Sequence, residues 1–285
     1  MLKTKGALTY DSSPLISGQA EAAFLGRKGG ISEPPYDSLN LSNRVGDKEE
    51  SVTENKKIVS AAFNINPKDM VCVKQVHGDF VYILDSEDKK GYEEVEADAI
   101  ITGLKNVAIG ILTADCVPVL IYDPIKRAAG ISHAGWKGAA LGIASKTVKA
   151  MTDEFGSNPS DILAAIGPSI GVCCYDVNSD VENEFRKRYI DASLYIENSP
   201  DPCLAWVPRQ PSPHPPKAEG EGEKKTGPRL DLKGMNLLDL MQAGLKKENI
   251  SVSSICTSCR NDLFFSYRKD EKITGRQMSF VMLKG

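Results

Sequence analysis

The chain has 285 residues and carries 35 basic against 38 acidic side chains, a formal net charge of −3. That balance excludes an electrostatic nucleic-acid binder, and 41% apolar with 26% charged residues excludes wholesale disorder. No apolar run approaches the roughly 18 residues that cross a bilayer, and Met1-Leu2-Lys3-Thr4-Lys5-Gly6 leads into no signal-peptide core, so a soluble cytoplasmic protein with no membrane partner is expected.

In chain order, Ser51-Val52-Thr53-Glu54 reads as a capping box opening a helix over 51–63. Short β-like runs follow at Met70–Val73, Phe80–Leu84, Ala99–Thr102, Val107–Leu112, Val117–Tyr122 and Ala128–Ser132. Over 136–155, Leu141, Ala144, Val148, Met151 and Phe155 step by three and four, which predicts one amphipathic helix. Ile162–Ile166 reads as a strand ending at Gly167-Pro168, and Val177, Val181, Phe185 and Tyr189 mark another helix face. Residues 200–228 hold eight of the 16 prolines and predict a mobile, disordered surface insertion. A helix over 233–247 and strands at Val252–Cys256, Phe264–Tyr267 and Met278–Leu283 complete the chain. Strands and helices interleave without a strict βαβ repeat, which predicts a single α+β domain over 1–285, interrupted but not divided by the insertion.

The chain has three histidines and seven cysteines. An odd, sparse cysteine count is wrong for a disulfide framework, so reduced thiols are expected. His214 lies inside the proline-rich insertion, whereas His77 and His133 sit at the ends of apolar runs beside small residues. Either histidine alone reads equally well as a hydrogen-bonded strand end. Cys116 lies in Thr113-Ala114-Asp115-Cys116-Val117-Pro118, where an acid beside a thiol between two apolar runs fits a cleft better than a core. Inert packing is the competing reading for that cysteine. A thiolate with two imidazoles is a set that zinc accepts, leaving one position open.

Gly135-Trp136-Lys137-Gly138 reads as a glycine turn into a helix, a backbone suited to an anion that Lys137 would strengthen, or else a plain tight turn. The pair Cys256 and Cys259 has no second ligand pair near it in the sequence and is read, with Cys173-Cys174, as structural. Phe264–Arg268 and Thr274-Gly275-Arg276 mix aromatics with arginines, as a base and phosphate site does and as an ordinary strand also does.

Asn40-Leu41-Ser42-Asn43-Arg44-Val45-Gly46-Asp47, Lys74-Gln75-Val76-His77-Gly78, Thr113–Leu120, His133–Gly138, Ile166–Gly171, Phe264–Asp270 and Thr274–Arg276 occur in this order. Together they resemble the laccase-domain-containing family, also labelled multicopper polyphenol oxidoreductases, whose members are described as purine nucleoside phosphorylases with adenosine deaminase activity. The resemblance runs from about residue 18 to the C-terminus, except over 200–228. It implies an α+β fold with mixed sheets layered between helices. It also implies zinc ligands at His77, Cys116 and His133, and turnover of adenosine, inosine, guanosine and 5′-methylthioadenosine with phosphate.

Asn40, Arg44, Lys74, Gln75, Arg268 and Arg276 match positions typical of the family, and phosphate or nucleoside binding is inferred for them. For deamination, Asp115 is the carboxylate nearest Cys116 in sequence and the expected proton carrier. Three histidines are too few for a multicopper oxidase, although a single copper suits any site that takes zinc. The rival reading is a Cys/His thiol hydrolase or amidase acting on a cell-wall precursor or a protein amide, with Cys116 as nucleophile and His133 as base. A third reading is a scaffold that recruits a partner through 200–228.

Overall fold

The computed structural model describes residues 1–86, 91–188, 196–197 and 228–285. Its strands are β1 (Leu2–Lys5), β2 (Leu8–Asp11), β3 (Ala20–Leu25), β4 (Met70–Cys72), β5 (Val81–Leu84), β6 (Ala99–Thr102), β7 (Ala108–Thr113), β8 (Val117–Asp123), β9 (Ala128–Ala134), β10 (Leu163–Ile166), β11 (Ile196–Glu197), β12 (Arg229–Leu230), β13 (Ile250–Val252) and β14 (Gln277–Leu283). Five helices accompany them among the described residues: α1 (Glu49–Phe63), α2 (Trp136–Leu141), α3 (Ile143–Phe155), α4 (Ser179–Arg188) and α5 (Leu232–Gln242).

Two six-stranded sheets form, in the orders β1-β2-β3-β14-β7-β4 and β13-β10-β8-β9-β6-β5. Both mix parallel and antiparallel pairs. The fold is α+β with mixed sheets between helices, as expected.

Strand alternation explains the layering, because successive side chains face opposite ways. In β8, Val117, Val119 and Ile121 face α3 and α5, while Leu120 and Tyr122 face the other sheet. In β14, Val281 and Leu283 enter the space between the sheets, while Phe280 and Met282 turn outward to pack with Phe63 of α1. Both sheets are covered on both faces, so their central strands read as near-continuous apolar runs.

Several elements differ from the sequence reading. Helix α1 starts two residues before the proposed capping box, at Glu49, and its N-cap Lys48 makes no side-chain cap. Acidic Glu49 and Glu50 favour the first turn through the helix dipole instead. The helix expected over 136–155 is two helices, broken at Gly142, whose φ of 74° is left-handed and ends α2. Leu141, placed on the buried face by spacing, is therefore 45% exposed.

Phe264–Tyr267 forms no strand, because the side chain of Gln277 takes the Phe265 N–H at 2.7 Å and reaches its carbonyl at 3.3 Å. Strands β1, β2 and β3 carry too mixed a pattern to be read in advance. Helix α5 ends at Gln242, five residues short of the expectation. The insertion at 200–227, His214 and Tyr189 lie outside the described residues. No helix among the described residues is long and apolar enough to cross a membrane.

Candidate active site

The chain passes from one sheet to the other between β7 and β8, and Asp115 and Cys116 occupy that crossing. The antiparallel register of β8 on β9 pairs Val117 with Ala134 and Pro118 with His133, so Cys116 and Gly135 follow side by side at the strand ends. The pairing of β6 with β9 brings Asp98 against His133, whose N–H bonds the Asp98 carbonyl at 2.7 Å. The loop after β4 swings His77 over the same end, with a left-handed φ of 60°.

The ligand atoms of His77, Cys116 and His133 all lie within 4.8 Å of one another. Cys116 Sγ stands 3.8 Å from His77 Nε2, and the two imidazole rings meet edge to face at 4.7 Å.

Asp98, which sequence reasoning missed, organises this cluster. It is fully buried, and its carboxylate accepts the N–H groups of Val76, His77 and Gly78 at 3.1, 3.0 and 2.6 Å. It also takes His133 Nδ1 at 2.8 Å, which leaves Nε2 as that ring's outward nitrogen. Burial works to raise the Asp98 pKa, but the His133 hydrogen bond and charge and the backbone donors together hold it below the ordinary value. The available signal was an acid at the start of the buried run Ala97–Thr102.

For Cys116, burial opposes ionisation, yet the charge and hydrogen bond of His133, aided by His77, bring the thiol down to about 6. For His133, burial disfavours the cation, but Cys116 and Asp98 raise it to about 9.

This donor set fits a single transition-metal ion. Two imidazoles and an acidified thiol supply three ligands, one ring is oriented by a carboxylate, and space is kept by glycine. A β-carbon at Gly135 would lie 2.7 Å from His77 Cδ2 and 3.1 Å from Cys116 Sγ.

Asp115 is buried with a left-handed φ of 90°. Its Oδ1 accepts the Thr257 hydroxyl at 2.6 Å and its Oδ2 the Arg268 N–H at 2.7 Å, while its carbonyl takes the Ile170 N–H at 2.9 Å. Burial raises its pKa against the pull of these donors. The Arg268 guanidinium lies over the Tyr175 ring at 5.4 Å and donates to the carbonyls of Cys174 and Asp176. Burial pushes the Tyr175 phenol up to about 12, with Cys116 and Asp115 adding to the shift against Arg268. Arg276 feels the same Cys116 and Asp115 charges. Among the described residues its guanidinium donates through Nη1, to the carbonyls of Thr274 and Gly275, and lies over the Tyr267 ring.

The remaining residues inferred from the sequence make the following contacts in the fold. Asn40 is buried and fully engaged: its amide donates to Ser42 and Asp47 and accepts from Ser42 N and Arg276 N. It positions Arg276 and has no atom left for substrate. Gln75 pairs with both backbone groups of Leu112 at 2.8 Å, fixing the His77 loop to β7.

Lys74 is paired with Glu96 at 2.8 Å, and Arg44 with the Glu93 carbonyl at 2.7 Å. Lys137 lies exposed on α2 with its ammonium over Trp136. The reading of Cys256 and Cys259 as lacking a second pair is overturned, because Cys173 and Cys174 meet them in space.

The chain is 37% identical to purine nucleoside phosphorylase YlmD of Bacillus subtilis over 92% of this chain and 88% of that protein. It is 31% identical to human purine nucleoside phosphorylase LACC1 over 98% of this chain, which spans 59% of that longer protein. The crystal structure of Bacillus licheniformis YfiH superposes with a TM-score of 0.83 at 35% identity, covering 98% of this chain and 97% of that one. The family model described as multi-copper polyphenol oxidoreductase laccase matches residues 21–284, and the chain belongs to that family.

Proposed function

We propose that the pocket of His77, Cys116 and His133 is the active site of a purine nucleoside phosphorylase that also deaminates adenosine and uses zinc. One observation carries the reading: three ligand groups from distant strand ends converge beside a buried acid and two arginines. The relatives' names supply the substrate class, a purine nucleoside with phosphate. Adenosine, inosine, guanosine and 5′-methylthioadenosine are the expected substrates.

A zinc ion held by His77, Cys116 and His133 supplies Lewis acidity to the pocket. The protein's own groups do the rest. Asp98 keeps His133 in one tautomer and holds the His77 loop in place. Arg276 offers uncommitted donors to the phosphate whose oxygen bonds ribose C1′ as the C1′–N9 bond breaks, releasing purine and ribose 1-phosphate. Asp115, biased toward its protonated form by burial, carries the proton that the departing base or amine requires. In the fold its carboxyl accepts from the Thr257 hydroxyl, the Arg268 N–H and the Ser266 hydroxyl. Tyr175, backed by Arg268, offers an aromatic wall for a base. Thiol ligation of this kind suits a reducing compartment, which supports a cytoplasmic setting.

The line Asp98–His133–Cys116 also has the geometry of a thiol hydrolase, and this favours the amidase as the second reading. Incubating the purified protein with adenosine, with and without phosphate, separates them. Adenine formed only with phosphate, together with inosine formed in either case, is the expected result. Neither product, with activity abolished by alkylation and indifferent to chelators, would replace this reading with the hydrolase.

A further inference from the structure

The geometry points to a second metal site: Cys173, Cys174, Cys256 and Cys259 form a closed tetrathiolate that binds one structural zinc ion. This site shares no ligand with the His77–Cys116–His133 pocket and does not depend on the function read there.

Strands β10 and β13 run parallel, with Ile166 beside Val252, and the pairing continues in a bridge between Ser169 and Cys256. Both chains leave the sheet at the same end. The turn 171–174 and the knuckle 256–259 are thus neighbours despite their separation in sequence. All four sulfurs lie within 4.8 Å of one another, with Cys259 Sγ 3.6 Å from Cys173 and 3.5 Å from Cys174. Four sulfurs at the Zn–S bond length of about 2.3 Å stand about 3.8 Å apart at tetrahedral corners. The observed spacing suits one ion and is too tight for a cluster with bridging sulfides. The four cysteines are free thiols rather than disulfides.

The surroundings fit a charged thiolate centre. Gly171 donates its N–H to Cys256 Sγ at 3.2 Å, and a β-carbon there would press on Cys173 Sγ and Cys256 Cβ, both at 3.2 Å. Lys233 is buried, and its ammonium is held by the carbonyls of Ser253 and Ile255. Burial lowers its pKa, and the charges of Asp231, Cys256 and Cys173 oppose that shift. A zinc tetrathiolate carries net negative charge, which this cation offsets.

Four soft ligands with no oxygen or open position make a closed, structural centre. It would pin the two loops whose Thr257 holds Asp115 and whose Cys174 carbonyl receives Arg268.

Metal analysis and X-ray absorption on the full chain carrying His77→Ala and His133→Ala test the site alone. The expected result is one zinc per chain with four sulfur neighbours near 2.3 Å and all seven thiols free on unfolding without reductant. Adding Cys256→Ser and Cys259→Ser should remove that zinc and lower Tm by several degrees. If the added changes prevent folding, the absorption spectrum of the double-histidine variant decides. No stoichiometric metal, an ion other than zinc, nitrogen or oxygen in its shell, or a disulfide among the thiols would overturn the assignment. Loss of zinc from only the His–Cys–His pocket would leave this assignment standing.

Discussion

Gly135 has its place because nothing larger fits between His77 and Cys116. Gly135→Ala should displace both side chains and reduce kcat/KM by about 100-fold, since ångström-scale misplacement has that effect. Bound metal should fall in parallel while Tm holds, and kinetics with metal analysis on the same preparation checks this. Cys116 has a sharper signature. Its thiol is lowered to about 6, so in chelator-treated protein the thiolate persists above that pH and is lost as pH falls through it. Iodoacetamide should label Cys116 readily at neutral pH, where an ordinary thiol near 8.5 is mostly protonated. The pH profile of labelling should break near 6, and zinc should suppress it; a break near 8.5 would contradict the electrostatics described.

At this scale His77, Cys116 and His133 were legible because thiol and imidazole stood at the ends of apolar runs. Asp98 was not, since its importance comes from the loop it gathers. Asn40 looked like a substrate group because a buried polar residue carries no mark in sequence to separate positioning from binding.

Elements were read well where one period dominates. Strands β6, β7, β8 and β9 are long apolar runs, and their positions agree with the sequence to within a residue or two. The helix over 136–155 shows the limit of periodicity. Its apolar spacing continues through Gly142, but the left-handed backbone there resets the helical phase, and Leu141 falls on the outside. Leu141→Lys should therefore change stability by no more than about 0.5 kcal/mol. Met151→Ala, fully buried on α3, should cost about 2–5 kcal/mol. Urea denaturation of both variants checks the contrast, and similar losses from the two would restore the single continuous helix. The cysteine pairs were misjudged for a related reason. Ligand spacing along the chain finds knuckles closed by a nearby pair, whereas here the parallel β10 and β13 bring the second pair from far away.

Across the whole molecule, the two sheets press one core between them, and each holds a second core under helices. Sheet closure depends on β14, which lies between β3 and β7 and is paired along its length to both. A chain lacking residues 277–285 should show no cooperative thermal transition by circular dichroism; a sharp melt near that of the intact chain would contradict this. The α+β layering was legible because apolar strands alternate irregularly with amphipathic helices. The strand order was not, because pairings such as β3 with β14 join segments from opposite ends of the sequence.

The central place of β14 has a consequence for synthesis, which delivers residues in order. Strand β3 emerges early and must wait, with its edge unsatisfied, until residues 277–283 leave the ribosome. The part of the pocket at His77, Asp98, Cys116 and His133 is translated long before Arg268 and Arg276. The growing polypeptide thus holds thiol and imidazoles before Arg276, the residue proposed to meet phosphate, is added. Nascent chains arrested just short of β14 would carry every pocket residue yet lack the strand that joins β3 to β7 and sets those residues in place.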